Sequence, residues 1–303
     1  MDHISQKTIS ISLRTIASLL RVHQWSKNLL IFVPAILAHR IGEPKILFQS
    51  VRSFLAFSLA ASAGYVFNDL VDLERDQKHP VKRLRSLADR KITVSQAALL
   101  IALLTFAAFG IGSQLSVEYL LALVGYLILS TGYTLFIKRV AVADVLLLGC
   151  LYTWRVFAGG VATGVVLSAW LLAFSVFLFF SLAIAKRVSE LLTAGPALGR
   201  DYGPEDLPLL FNFGIASGYT ATLIFALYLS SENVKRFYPQ PQFLWLILPI
   251  LIYWTTRFWL FTHRGKINAD PILFALKDPV SYGVTGLTLG LVWIAHQTLF
   301  VFF

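Results

Sequence analysis

The chain predicts an all-α integral membrane protein with nine transmembrane helices. Three observations lead there. The 303 residues are 57% hydrophobic and only 14% charged, with a mean hydropathy of +0.70, whereas a soluble domain carries about 25% charged residues. Apolar runs near the length that crosses a bilayer, about 20 residues, recur at roughly 28–41, 51–70, 94–113, 117–136, 141–163, 167–187, 208–230, 243–261 and 280–301. Stretches such as Leu171–Ile184 are apolar on every face, which fits helices and not the alternating strands of a barrel. A cytosolic globular enzyme, a disordered chain and a disulfide scaffold are excluded, and the one cysteine, Cys150, reads as packing.

The first run holds Pro34, and the fifth is interrupted by Asp144 and Arg155. Met1 to Lys27 mixes polar and apolar residues and shows no cleavable signal. With the N-terminus on one side, 20 of the 26 Lys and Arg fall on that side, five on the other, and Arg155 within the membrane. That bias places the N-terminus in the cytoplasm of a multi-pass plasma (inner) membrane protein. The long polar loops, about 71–93 and 188–206, lie on the same side. The net charge of +10 thus reads as this bias together with an anionic substrate, not as nucleic-acid binding. Nothing separates soluble domains, so residues 1–303 read as a single membrane-embedded domain.

The loop after the second run opens Asn68-Asp69-Leu70-Val71-Asp72-Leu73-Glu74-Arg75-Asp76. Asn68, Asp72 and Asp76 are four apart and share a helix face, with Asp69 on its flank. Carboxylates so close repel one another in low dielectric and need a positive partner. Hard oxygen ligands suit Mg²⁺, which binds through a few carboxylates and substrate phosphates. Lys78, His79, Lys82, Arg83 and Arg85 follow directly, so acids for a metal and bases for phosphate oxygens lie side by side. A solvated helix end with ion pairs is the plainer alternative, but ionisable groups ending a membrane span are functional by default.

Three further clusters belong to the same side. Lys186-Arg187-Val188-Ser189-Glu190 ends the sixth run, and Arg187 and Glu190 are spaced to pair. The loop continues through Asp201, Tyr202, Pro204, Glu205 and Asp206, acids that form a second metal-binding candidate whose spacing Pro204 interrupts. Lys138 and Arg139 precede Asp144. Arg155 is eleven residues beyond Asp144 on the same helix face, about 16 Å away, so each needs a partner elsewhere. Trp25 reads as an interface aromatic beside Lys27 and Asn28.

These residues resemble the UbiA superfamily of intramembrane prenyltransferases. Asn68-Asp69-x-x-Asp72-x-x-x-Asp76 after the second of nine spans carries the resemblance, which covers nearly the whole chain. It implies a bundle around a central cavity, open to the cytoplasm and laterally to lipid, with Mg²⁺-bound diphosphate at Asp69, Asp72 and Asp76. Aromatic prenyltransferases of the superfamily usually carry a second motif, Asp-x-x-x-Asp, after span six. This chain has Lys186-Arg187-x-x-Glu190 there and only Asp201-x-x-x-Glu205 as a partial likeness. Gln24-Trp25-x-Lys27-Asn28, His79-Pro80-x-Lys82-Arg83-x-Arg85, Arg155-x-x-x-Gly159-Gly160 and Lys186-Arg187-x-x-Glu190-Leu191 are instead similar to the decaprenyl-phosphate phosphoribosyltransferase branch. Ser86 and Asp89 depart from it, where proline and glycine are usual.

That branch implies transfer of phosphoribosyl from phosphoribosyl diphosphate to a polyprenyl phosphate. Asp72, Asp76, Lys186 and Glu190 are the catalytic candidates. Asn68, Lys27, Asn28, Lys82, Arg83, Arg85, Lys138, Arg155, Arg187 and Tyr202 are the substrate-binding ones. The alternative within the enzyme class is prenyl transfer from an allylic diphosphate to an aromatic or other small acceptor. A lipid or solute carrier is the alternative of another class, but the sequence lacks the matched broken helices of transporters. Isoprenoid chain length and oligomeric state, a homo-oligomer included, stay open at this point.

Overall fold

The computed structural model describes residues 18–78, 80–194, 201–267, 270–275 and 277–297. Among them every regular element is helical. The long helices are α1 (Pro44–Val71), α2 (Val94–Gly112), α3 (Val117–Leu135), α4 (Ala143–Thr163), α5 (Ala169–Ala194), α6 (Leu207–Leu229), α7 (Ile247–His263) and α8 (Pro279–His296). Seven helices among the described residues are long and apolar enough to cross a membrane, which makes this a multi-pass membrane protein.

The helix limits revise three sequence expectations. The first apolar run is not one helix. It is a 3₁₀ stretch, Val22–Phe32, followed by little more than one α turn, Val33–Leu37. Pro34 sits at the start of that turn, where its missing N–H is not needed. The sixth run continues to Ala194, so Lys186, Arg187 and Glu190 are helical and the loop expected from residue 188 begins later. The 71–93 loop is partly helical too, with Leu73–Lys78 and a 3₁₀ turn at Lys82–Leu84. His79, Arg200 and residues 298–303 lie outside the described residues.

The chain divides into two compact units, one of Met1–Leu135 with Ala158–Val165, the other of Phe136–Phe157 with Val166–Phe303. In the first unit α1 is central and packs against α2, α3 and the 3₁₀ stretch. Most of its buried residues are small: Ser50, Ser53, Ala56, Ser58, Ala60, Ala61, Ser62 and Ala63, with Ile46, Phe57, Val66 and Asp69 beside them. Small side chains let backbones approach and leave hydroxyls to hydrogen-bond across helices. Asn28 Nδ2 donates to Ser58 Oγ at 2.9 Å and Trp25 Nε1 to Ser62 Oγ at 3.0 Å, while Tyr119 hydroxyl donates to the Ser53 carbonyl at 3.0 Å. At Gly159, also in this unit, an added Cβ would lie 2.1 Å from the Ile31 carbonyl oxygen. Only glycine lets the 3₁₀ backbone come so close.

In the second unit α5 packs along α6, α6 against α7, and α7 against α8. Gly214 makes room for Trp259, whose ring carbon would stand 2.1 Å from an added Cβ. Ser181 Oγ links the two, donating to the Gly214 carbonyl at 2.7 Å and accepting from Trp259 Nε1 at 3.0 Å. Asp278 caps α8 by accepting from Ser281 N at 2.9 Å and pairs with both Nη atoms of Arg257 at 2.8 and 2.9 Å. Phe106, Leu121, Ile128 and Leu223 are exposed, as lipid-facing side chains are.

Two stability measurements in detergent follow. Gly159→Ala costs about 1–3 kcal/mol through overpacking and lowers the melting temperature. The control Gly110→Ala, whose Cβ meets open space, leaves it unchanged or raises it. Arg257 and Ser281 hold the Asp278 carboxyl below its ordinary value, so its contribution is present near neutral pH and lost as pH falls through the folded-state value. Asp278→Ala therefore melts earlier than the wild type at pH 7, by the equivalent of about 1–2 kcal/mol, and the gap narrows as the buffer is taken below the ordinary Asp value of about 3.9.

Candidate active site

The acidic motif is built at the end of α1. Asp72 closes that helix, its N–H donating to the Asn68 carbonyl at 3.0 Å, and the Asp76 N–H donates to the Asp72 carbonyl at 2.8 Å. The four-residue ladder thus runs through the junction into Leu73–Lys78. It keeps Asn68, Asp72 and Asp76 in the register read from sequence. Leu87 and Ile92, from the basic loop, pack with Leu19, Val66 and Ala97 and hold that loop on the end of α1.

This packing delivers a guanidinium to the acids. Asp69 and Asp76 are buried, 5% and 2% exposed. Arg85 Nη1 donates to Asp69 Oδ1 at 3.1 Å and to Asp76 Oδ2 at 2.6 Å. Arg21 Nη2 donates to the same Asp69 oxygen at 2.5 Å, and its guanidinium lies over the Tyr65 ring, 5.2 Å from the centroid. Arg21 reaches the site from outside the motif. No local pattern announces it, because its partner is 48 residues away.

Among the described residues no three His, Cys, Asp or Glu side chains converge as a metal-holding group. Arg85 bridges Asp69 and Asp76. The donor set still suits Mg²⁺, being carboxylates and an amide beside bases for phosphate. Asp206 caps its own 3₁₀ turn by accepting from Gly203 N at 2.9 Å. Lys82 is half-buried and Arg83 exposed, while Lys27 and Asn28 are buried in the 3₁₀ stretch.

A second charged cluster forms in the other unit. Asp144, in the first turn of α4, is wholly buried. Its Oδ2 accepts from Arg187 Nη2 at 2.5 Å, and its Oδ1 accepts from the Tyr202 hydroxyl at 2.7 Å. Arg187 Nη1 also donates to Glu190, the expected pair. Arg187 is not a snorkelling base: its side chain has no exposed surface. Burial, then the bond to Asp144 and that carboxylate's charge, push the Tyr202 phenol up, so it stays protonated and keeps donating. Asp144 thus has the partner from another helix that its burial requires. Arg155 donates to the Leu151 carbonyl and lies over the Tyr152 ring. Lys138 is buried in the turn before α4, and Lys186 is half-buried.

The profile of the UbiA prenyltransferase family matches residues 29–277. The chain belongs to the UbiA prenyltransferase family. The sequence resemblance implied the same family. Protein y4nM of Sinorhizobium fredii is 41% identical over 276 residues, 88% of this chain and 53% of that protein. The chain thus spans about half the length of that relative. Nodulation protein NoeC of Azorhizobium caulinodans is 33% identical over 287 residues, 91% of this chain and 92% of that one. Decaprenyl-phosphate phosphoribosyltransferase of Mycobacterium tuberculosis is 32% identical over 176 residues, 57% of this chain and 58% of that enzyme. A UbiA homologue from Archaeoglobus fulgidus, solved bound to DMAPP and Mg²⁺, shares the fold. Its TM-score is 0.70 at 18% identity, over 93% of this chain and 99% of that one.

Removing Arg85 leaves Asp76 and Asp69 buried against each other with less positive charge. Arg85→Ala lowers the melting temperature, by the equivalent of about 1–3 kcal/mol for an uncompensated buried group. If Mg²⁺ takes the carboxylates that Arg85 contacts, millimolar Mg²⁺ without substrate restores more stability to this variant than to the wild type. Differential scanning fluorimetry across an Mg²⁺ series reads both effects.

Proposed function

We propose that this protein transfers phosphoribosyl from phosphoribosyl diphosphate to a polyprenyl phosphate and releases diphosphate. It does so as a single nine-span domain in the plasma (inner) membrane, with its N-terminus and active site cytoplasmic. The expected cavity, open to cytoplasm and lipid, belongs to this reading. The observation that carries it is the contact of Arg85, from the basic loop, with Asp69 and Asp76. Acids suited to a metal and bases suited to phosphate meet at the end of one helix. The identity with decaprenyl-phosphate phosphoribosyltransferase supports the choice of donor.

Asn68, Asp69, Asp72 and Asp76 would hold Mg²⁺, which offsets the charge of the diphosphate and of its departure. Arg85 leaves the carboxylates for the oxygens of the incoming diphosphate, assisted by Lys82 and Arg83. Lys186, Lys27, Lys138 and Arg155 supply cationic charge for the remaining phosphate groups, with Asn28 as a further substrate contact. Glu190 takes a ribose hydroxyl. A phosphate oxygen of the lipid attacks the anomeric carbon as the carbon–diphosphate bond breaks. The phosphate is already ionised at neutral pH, so no strong general base is required. The sugar acquires positive charge on the way, which nearby carboxylates stabilise.

A second reading, prenyl transfer from an allylic diphosphate, is favoured by the DMAPP-bound homologue of the same fold. Purified protein with Mg²⁺ and radiolabelled phosphoribosyl diphosphate separates the two. We expect label in the organic phase only when both Mg²⁺ and polyprenyl phosphate are present. No label, with prenylation of an aromatic acceptor by the same preparation, assigns the second reading. Asp72→Asn lowers turnover about 10²–10³-fold with substrates saturating; near-normal turnover would remove Asp72 from the site.

A further inference from the structure

Four side chains from three chain segments form one connected line in the second unit. Tyr202, from the stretch after α5, donates to Asp144 Oδ1 at 2.7 Å and accepts from the Val142 N–H at 2.7 Å. Asp144 Oδ1 also accepts from Val145 N at 2.7 Å. Its other oxygen holds Arg187, which stacks over the Tyr202 ring, 5.8 Å from the centroid, and reaches Glu190 with its second Nη. The middle of the line is the driest: Asp144 is 1% exposed and Arg187 0%, against 8% for Tyr202 and 15% for Glu190. Only the last offers a carboxylate outward.

Two features bear on what this line does. Val142 has φ of +64°, a left-handed conformation that a β-branched residue adopts at a cost. Its N–H is held there by the Tyr202 hydroxyl. A buried ion pair also adds little net stability over an apolar replacement of the same volume, because desolvation offsets the attraction. What it does supply is direction: one guanidinium shared by two carboxylates ties Glu190 to Asp144.

We propose that Asp144 and Tyr202 are positioning residues that hold Arg187, and through it Glu190, in the pose that meets the substrate sugar. The same bonds tie residues 201–206 to the start of α4. The role of Glu190 rests on the phosphoribosyl reading above; the tie does not.

Two measurements on the full chain in detergent test it. Hydrogen exchange reads the tie without catalysis. Asp144→Asn, which keeps shape but loses charge, and Tyr202→Phe, which loses only the hydroxyl, each speed exchange across 201–206 at least about tenfold while α6 is unaltered. Unchanged exchange in both overturns the tie. Label transfer reads the positioning. Asp144→Asn lowers kcat about 10–100-fold with KM for phosphoribosyl diphosphate within about twofold, and Asp144→Glu recovers part of the loss. In a Glu190→Gln background Asp144→Asn has little further effect, as expected of residues acting as a unit. An equal loss in both backgrounds overturns positioning through Glu190. Wild-type protein that transfers no label refutes the phosphoribosyl reading, and with it the sugar role, while the exchange result still decides the tie.

Discussion

A carboxylate at the end of a membrane helix has to be met by positive charge or become neutral. Both units of this chain meet that demand with arginine. Asp69 and Asp76 are bridged by Arg85, and Asp69 is also held by Arg21. Asp144 and Glu190 share Arg187. Arginine suits the task because its donors form a fixed fork and its charge persists when buried. The helices around these groups are arranged so that the donors arrive.

That arrangement depends on close backbone approach. Serine and alanine on α1, and glycine at 159 and 214, let neighbouring segments come within reach of short polar side chains. Between lipid-embedded helices the hydrophobic effect does not drive association, so shape and interhelical hydrogen bonds carry more of it. The Asn28–Ser58 and Trp25–Ser62 bonds place the 3₁₀ stretch against α1, and Arg21, beside that stretch, reaches Asp69. The same packing logic that holds the first unit together thus completes its charged site. In the second unit the continuation of α5 to Ala194 does the equivalent work, since it carries Arg187 and Glu190 one turn apart on a helix.

Most of the helical scheme was legible because membrane-length apolar runs leave few other readings. The acidic register Asn68–Asp72–Asp76 was legible for a similar reason: four-residue spacing survives wherever the backbone ladder does, and here it crosses the α1 junction intact. The first span was misjudged because hydropathy does not distinguish a 3₁₀ stretch from an α-helix. The end of the sixth was misjudged because charged residues were taken for a loop, when an internal ion pair lets them stay helical. Arg21 and the Asp144–Tyr202 bond were missed since their partners are 48 and 58 residues apart.

By itself the sequence determined the class of the protein, the family motif, and which acids and bases lie near each other along the chain. Composition and short-range spacing carry those because they need only the helix repeat and the bilayer thickness. The tertiary structure decided who pairs with whom: that Arg85 takes Asp76, that Arg187 is shared by two carboxylates, and that the Tyr202 hydroxyl points inward to Asp144. A charge pair forms over a few ångströms of space, and only folding brings distant parts of the chain to that distance.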